Sequence, residues 1–220
     1  MATPTRDPGT ERGGEQSAGP AAEPDPAHVA QVVAAARAAA PRCGSTVVVA
    51  VDGPSGAGKT TLARAVADRL RAPLLSLDRL YPGWDGLAAT PQLLATAVLE
   101  PLREGRPAAY RRWDWDRGQP AESVAVPAGP LLVLEGCGCT VLPAGSYAAV
   151  RVWVDAAAPV RRRRGIMRDG DAYAPHWERW AAQERAVFGE DQTRARADLV
   201  LDTSTPSVAP SPSVARGGPR

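Results

Sequence analysis

A three-layer α/β fold with a central, mainly parallel sheet of about five strands is predicted by three observations. Short apolar runs alternate with longer segments of helical periodicity between residues 46 and 202. The first run, TVVVAV at 46–51, breaks into a glycine-rich loop and then into an Ala/Leu/Arg helix. Two later runs, 74–77 and 131–135, deliver the acids Asp78 and Glu135 at their ends. In sheets of this kind ligands collect beyond the C-terminal ends of the strands, so those ends are where chemistry is expected.

In chain order, residues 1–26 are rich in Pro, Gly, Glu and Thr. They hold too little apolar surface to offset chain entropy, so a disordered tail is expected. AHVAQVVAAARAAA at 27–40 reads as an amphipathic helix stopped by Pro41. There follow strand 46–51, helix 59–71, strand 74–77, helix 91–104, strands 131–135 and 148–154, helices 157–168 and 175–188, and strand 198–202. Pro, Ser and Gly return in 204–220, a second expected disordered tail. With 220 residues, 44% of them hydrophobic, one domain over 27–203 can bury one good core.

The loop after the first strand reads Gly53-Pro54-Ser55-Gly56-Ala57-Gly58-Lys59-Thr60, followed by Thr61. Strand, G-x-x-x-x-G-K-T and helix together make a P-loop, which identifies the sheet as that of a P-loop NTPase. Its glycines let the backbone wrap a polyphosphate with its N–H groups turned inward, and the helix start adds its dipole. Lys59 supplies a compact charge for the outer phosphates, and the Thr60 hydroxyl is a ligand for Mg2+. Of the 26 Lys and Arg residues, Lys59 is the one lysine, so a point charge is kept where arginine has taken every other cationic place. ATP and Mg2+ are therefore the expected donor and cofactor.

Glu135, led in by four apolar residues, is placed to hold the magnesium site, against the alternative of a solvated loop acid. Asp78 ends the other acid-bearing strand and can accept the proton of an attacking hydroxyl, or simply cap the next turn. Arg161, Arg164 and Arg168 recur at helical spacing within RRRRGIMRDGD. Five neighbouring arginines call for an anion, and a triphosphate in transfer is one, so 157–175 reads as a helical lid. A solvated face or a nucleic-acid patch are the alternatives, but the net charge of +2 gives no general attraction to nucleic acid or anionic membrane. Cys43, Cys137 and Cys139 suit reduced thiols in a cytoplasm. The C-x-C pair could be half a metal site but lacks a second pair.

With these residues placed, segment 46–203 resembles the uridine kinase branch of P-loop kinases, which includes phosphoribulokinase-like and pantothenate kinase-like enzymes. The P-loop matches closely. The family's Asp-x-Phe-Tyr is similar to Asp78-Arg79-Leu80-Tyr81, and its Tyr-Asp-Phe to Trp113-Asp114-Trp115. Glu135-Gly136, the Arg161/Arg164/Arg168-Asp169 lid and Ala197-Asp198 before a closing strand complete the series. The resemblance implies that Asp78 is the general base and that the lid arginines close over the γ-phosphate. It also implies that Tyr81, Trp84, Asp85, Trp113, Asp114 and Arg117 line a pocket for a nucleoside-like acceptor. Trp113 stands where the family has tyrosine, the Tyr81–Trp113 segment is short, and the lid lacks a second arginine pair.

The expectation is an ATP-dependent kinase acting on a small-molecule hydroxyl, of a uridine- or cytidine-like nucleoside by that analogy. A nucleotide kinase, with a phosphate as acceptor, is kept open by Arg79, Arg111 and Arg112. A guanine-specific switch would need an Asn-Lys-x-Asp loop, hence a second lysine that the chain lacks. A ring-forming ATPase would carry Asp-Glu after the third strand, where this chain has Glu135-Gly136. A binding module without catalysis sits poorly with P-loop, acids and lid together.

Overall fold

The computed structural model describes residues 23–204, so the expected tails fall outside the described residues except at their inner ends. There Pro26 already opens helix α1 (Pro26–Ala38), with the Asp25 carboxylate accepting the Ala27 N–H at 2.8 Å as its cap. Strand β1 (Val47–Asp52) runs through the middle of the sheet and leads through the P-loop into α2 (Lys59–Leu70). Strand β2 (Leu74–Ser76) ends in a single 3-10 turn, Leu77–Arg79. Helices α3 (Thr90–Leu94) and α4 (Glu100–Arg103) are joined by a π turn, Ala95–Leu99. Pro101 lacks the N–H that a regular α-turn would use there, and the backbone widens just before it.

A two-stranded antiparallel hairpin follows, β3 (Ala108–Asp114) and β4 (Gln119–Val126), where the sequence reading had placed no strands. Only Ala108, Tyr110 and Val126 of its residues are buried, so its alternation is carried by a few positions. The Asp114 carboxylate accepts the N–H groups of Asp116 (3.1 Å) and Arg117 (3.0 Å), and Gly118 takes the left-handed φ of +61° that closes the turn. Strands β5 (Leu131–Glu135) and β6 (Val150–Asp155), helices α5 (Ala158–Tyr173) and α6 (Trp177–Asp191), and strand β7 (Leu199–Asp202) complete the chain.

The main sheet has five strands, all parallel, in the order β2-β5-β1-β6-β7. Val and Leu runs buried on both faces explain why it is parallel. One face packs Val32, Val33, Leu62 and Val66 of α1 and α2 against Val49 and Val51. The other packs Leu94, Leu99, Tyr110 and Trp180 against Val48 and Leu134. This is the expected three-layer arrangement. Register places Glu135 level with both Val51 and Ser76, so β1, β5 and β2 end together at one edge. No helix among the described residues is long and apolar enough to cross a membrane.

Candidate active site

The P-loop is fixed at its root by Asp52, the last residue of β1 and fully buried. Its carboxylate accepts four hydrogen bonds, from the N–H of Gly53 (2.7 Å), Gly138 (2.8 Å) and Thr140 (2.7 Å) and from the Thr140 hydroxyl (2.8 Å). Burial pushes the carboxyl pKa above its ordinary value, and the four donors pull against that shift. Asp52 thereby staples the P-loop to the loop after β5. An asparagine there must turn its NH2 towards at least one of those donors, so Asp52→Asn should cost about 3 kcal/mol of stability. Urea unfolding is the check, and a loss below about 0.5 kcal/mol would show that the staple contributes nothing.

Two glycines are dictated by close approach. A Cβ on Gly53 (φ +136°) would run into the Val154 carbonyl, and one on Gly56 (φ +77°) into the Arg161 carbonyl. The loop is therefore pressed against β6 and the first turn of α5. Lys59 is 8% exposed, and its Nζ donates to the Pro54 carbonyl at 3.0 Å and to Cys137 Sγ at 3.4 Å. Burial alone would lower its pKa, yet the balance is upward because Cys137, Glu184, Glu135 and Asp52 surround it. Burial pushes the Cys137 thiol up to about 12, so at neutral pH the three carboxylates keep the ammonium charged.

Glu135 is 2% exposed, and its Oε2 accepts the Thr60 hydroxyl at 3.0 Å. Its Oε1 is buried with no hydrogen-bond partner among the described residues. A buried carboxylate oxygen without a protein partner, beside a P-loop threonine, suits a divalent cation. Among the described residues no three His, Cys, Asp or Glu side chains cluster as an all-protein metal cage. The residues present fit magnesium, which draws part of its ligand set from phosphate and water.

Asp78 lies in the 3-10 turn after β2, open to solvent yet crowded by protein on its flanks. Desolvation, then the charge of Glu135, raises its pKa, with Asp169 adding to the rise and Arg168 and Lys59 opposing it. Asp78, Lys59 and Glu135 thus share one field at one edge of the sheet. The hairpin reaches this turn as well, since the Trp115 indole N–H donates to the Asp78 carbonyl at 2.8 Å.

The lid arginines are dispersed rather than gathered. Arg161 donates from Nε to the Ala156 carbonyl (3.1 Å) and from Nη1 to the Ser55 carbonyl (3.3 Å). Arg164 donates to the Thr203 hydroxyl (2.9 Å) and carbonyl (2.7 Å), and that hydroxyl donates to the Ala57 carbonyl (2.7 Å). Arg164 therefore ties α5 to the end of β7 and the underside of the P-loop. Arg168 pairs with Asp169 at 2.7 Å and is the lid arginine whose charge acts on Asp78. Gly170, at φ 53° and ψ −135°, breaks the helix two residues later, and no side chain but hydrogen adopts that backbone readily.

Of the six residues expected around the acceptor, Tyr81 and Asp85 are engaged elsewhere. Tyr81 is buried, edge-on to Trp180 (4.8 Å between centroids), with its hydroxyl donated to the Cys137 carbonyl at 3.0 Å. Asp85 pairs with Arg179 of α6. Asp114 caps the hairpin turn, and Arg117 is exposed beside it. Trp84, half-buried, stacks on His176 (4.2 Å) and Tyr173 (5.4 Å) and tilts against Trp115 (4.8 Å), while Trp113 covers Gly83. Tyr173 of α5 and His176 of the turn after it thus cover one side of Trp84. Cys43, Cys137 and Cys139 are free, buried thiols.

Glu184 of α6 was not foreseen. It is 3% exposed, and it accepts the Ser55 N–H at 2.7 Å and the Cys137 thiol at 3.3 Å, with Arg161 at 3.7 Å. Helical spacing could have found it, since Glu184 lies seven residues after Trp177 and four after Trp180 on the same face of α6, off which Glu178 and Glu190 fall and are exposed.

A cytidylate kinase family model matches residues 49–87, the P-loop to the end of the loop that follows Asp78. The cytidylate kinase of Pyrobaculum arsenaticum is 34% identical over 170 residues, 74% of this chain and 86% of its own length. That of Pyrobaculum calidifontis is 31% identical over 170 residues, with the same coverage of both chains. Among solved structures, a possible uridine kinase from Bacillus stearothermophilus superposes with a TM-score of 0.58 at 17% identity, covering 80% of this chain and 98% of that one. At that identity the likeness carries the fold, and the narrower placement in the uridine kinase branch is not specifically supported. The sequence relationship runs instead to the Pyrobaculum enzymes, over most of the length of both chains. The chain belongs to the cytidylate kinase family of P-loop kinases.

Proposed function

We propose that the protein transfers the γ-phosphoryl group of ATP to a hydroxyl of a small, nucleoside-like acceptor. The observation that carries this reading is the Asp78 carboxylate, on an exposed residue just after β2 and within the field of Lys59 and Glu135. A carboxylate so located can take the proton of an alcohol as its oxygen attacks phosphorus. Lys59 and the loop N–H groups would hold the β- and γ-phosphates, and Thr60 and Glu135 would hold Mg2+. The bound cation would neutralise charge on the phosphate oxygens. Arg168 is the lid group closest in influence to Asp78 and would offset charge on the transferring group. Closure of α5 about Gly170 would keep water from the reacting phosphoryl.

A second reading, transfer to the phosphate of a nucleoside monophosphate, is favoured by the names of the relatives and by Arg79, which follows Asp78. Arg79 is exposed and acts electrostatically on Tyr110 and Glu122 of the hairpin, whose Trp115 donates to the Asp78 carbonyl. The experiment is ADP release from Mg-ATP with cytidine, uridine, CMP, UMP and a panel of sugars and small alcohols. Stimulation by a compound bearing only hydroxyls supports the first reading, and stimulation confined to CMP or UMP replaces it with the second. Hydrolysis indifferent to every compound would overturn both.

A further inference from the structure

Glu184 is a buried carboxylate from a helix that follows α5, and beyond helping to keep Lys59 charged it has no part in the phosphate chemistry above. Its contacts form a closed ring around one P-loop residue. Oε1 takes the Ser55 N–H at 2.7 Å, Oε2 faces Arg161 Nη1 at 3.7 Å, and that same Nη1 donates to the Ser55 carbonyl at 3.3 Å. Both backbone polar groups of Ser55 are thus held by a mutually paired acid and base. The Cys137 thiol donates to Oε1 at 3.3 Å and lies 3.6 Å from the Ser55 hydroxyl, joining the loop after β5 to the same ring.

We propose that Glu184 is a positioning residue for nucleotide binding: it locks Ser55 and Arg161 so that the phosphate cradle is formed before the triphosphate arrives. The proposal rests on the reading of residues 53–60 as a triphosphate cradle and concerns a residue outside it. A preformed cradle saves the cost of ordering a glycine-rich loop at the moment of binding. The carboxylate pairs with Arg161, and its charge is among those that keep Lys59 protonated. Its sign separates this role from simple electrostatics. A negative charge beside the cradle repels a triphosphate, so removing it should tighten binding if charge were all that mattered. If positioning dominates, removing it weakens binding.

The test is calorimetric titration of the full chain, with Mg2+ present and no acceptor, using the β,γ-imido analogue of ATP. Glu184→Gln, Arg161→Gln and the double variant are compared with wild type, each with its thermal unfolding midpoint. Glutamine can keep one bond to the Ser55 N–H, but its NH2 then faces the Arg161 guanidinium, so the ring opens while packing volume is kept. The expected result is a loss of about tenfold or more in affinity for Glu184→Gln. The double variant should lose no more than the worse single one, since the two side chains act as a unit. Unchanged or tighter binding in Glu184→Gln, or fully additive losses, would overturn the inference. A loss of affinity matched by a collapse of the unfolding midpoint, with the conservative Glu184→Asp no better, would reduce Glu184 to a structural residue and equally overturn it. Absence of binding by wild type would sink the functional reading instead, so the two failures are distinct.

Discussion

Asp78→Asn should leave Mg-ATP binding within about twofold of wild type while lowering turnover by about a hundredfold or more. The amide has the same shape, so the Trp115 bond to the Asp78 carbonyl, a backbone contact, survives. What is lost is the ability to take a proton, and at 1.36 kcal/mol per decade a hundredfold is about 2.7 kcal/mol of barrier. Binding of the donor is spared because it depends on Lys59, the loop N–H groups and the Thr60–Glu135 pair. Equal turnover in the asparagine variant would remove Asp78 from the chemistry and favour the phosphate-acceptor reading, in which no base is needed.

The same residue sets a pH dependence whose sign follows from its surroundings. Desolvation and the carboxylates of Glu135 on β5 and Asp169 on α5 raise the Asp78 pKa, while Arg168 on α5 and Lys59 on α2 limit the rise. The base works ionised, so activity is full above that raised pKa and falls as pH drops through it. The acid limb of kcat/KM should therefore lie above the ordinary aspartate value, and it should vanish from the residual activity of Asp78→Asn. A limb at the ordinary value, or one that persists in the variant, would assign it to another group.

How much of this was legible in the sequence depends on how local each constraint is. The P-loop could be read letter by letter because Gly53 and Gly56 answer backbone approaches that any sheet of this type imposes. The ends of β2 and β5 could be read because a short run with three or four apolar residues leads into one acid. The hairpin could not, because Pro120, Glu122 and Ser123 interrupt β4, and its few apolar positions acquire meaning only against the helices beneath. Arg164 shows the limit of periodicity. Spacing puts it on one face with Arg161 and Arg168, but Thr203, 39 residues away, claims its guanidinium. Asp52 and Glu184 mark the other limit, since their partners lie 88 and 129 residues away and only tertiary structure joins them.

Lys59→Arg should keep the fold and lower turnover by about a thousandfold, a larger effect than the conservation of charge would suggest. The buried ammonium donates to the Pro54 carbonyl at 3.0 Å and to Cys137 Sγ at 3.4 Å. A planar guanidinium with five donors must displace one of those neighbours, and with it the loop or the strand end that carries Glu135. The charge nevertheless remains, so Glu184, Glu135 and Asp52 stay compensated and the thermal midpoint should move by only a few degrees. Lys59→Met separates the two effects. It is close to lysine in length but removes the ammonium among those three carboxylates, of which only Glu184 keeps a paired cation, Arg161, among the described residues, so it should lose both nucleotide affinity and stability. Turnover in Lys59→Arg within tenfold of wild type would mean that the cradle needs only a positive charge. The argument that one lysine persists among arginines for its shape would then fail.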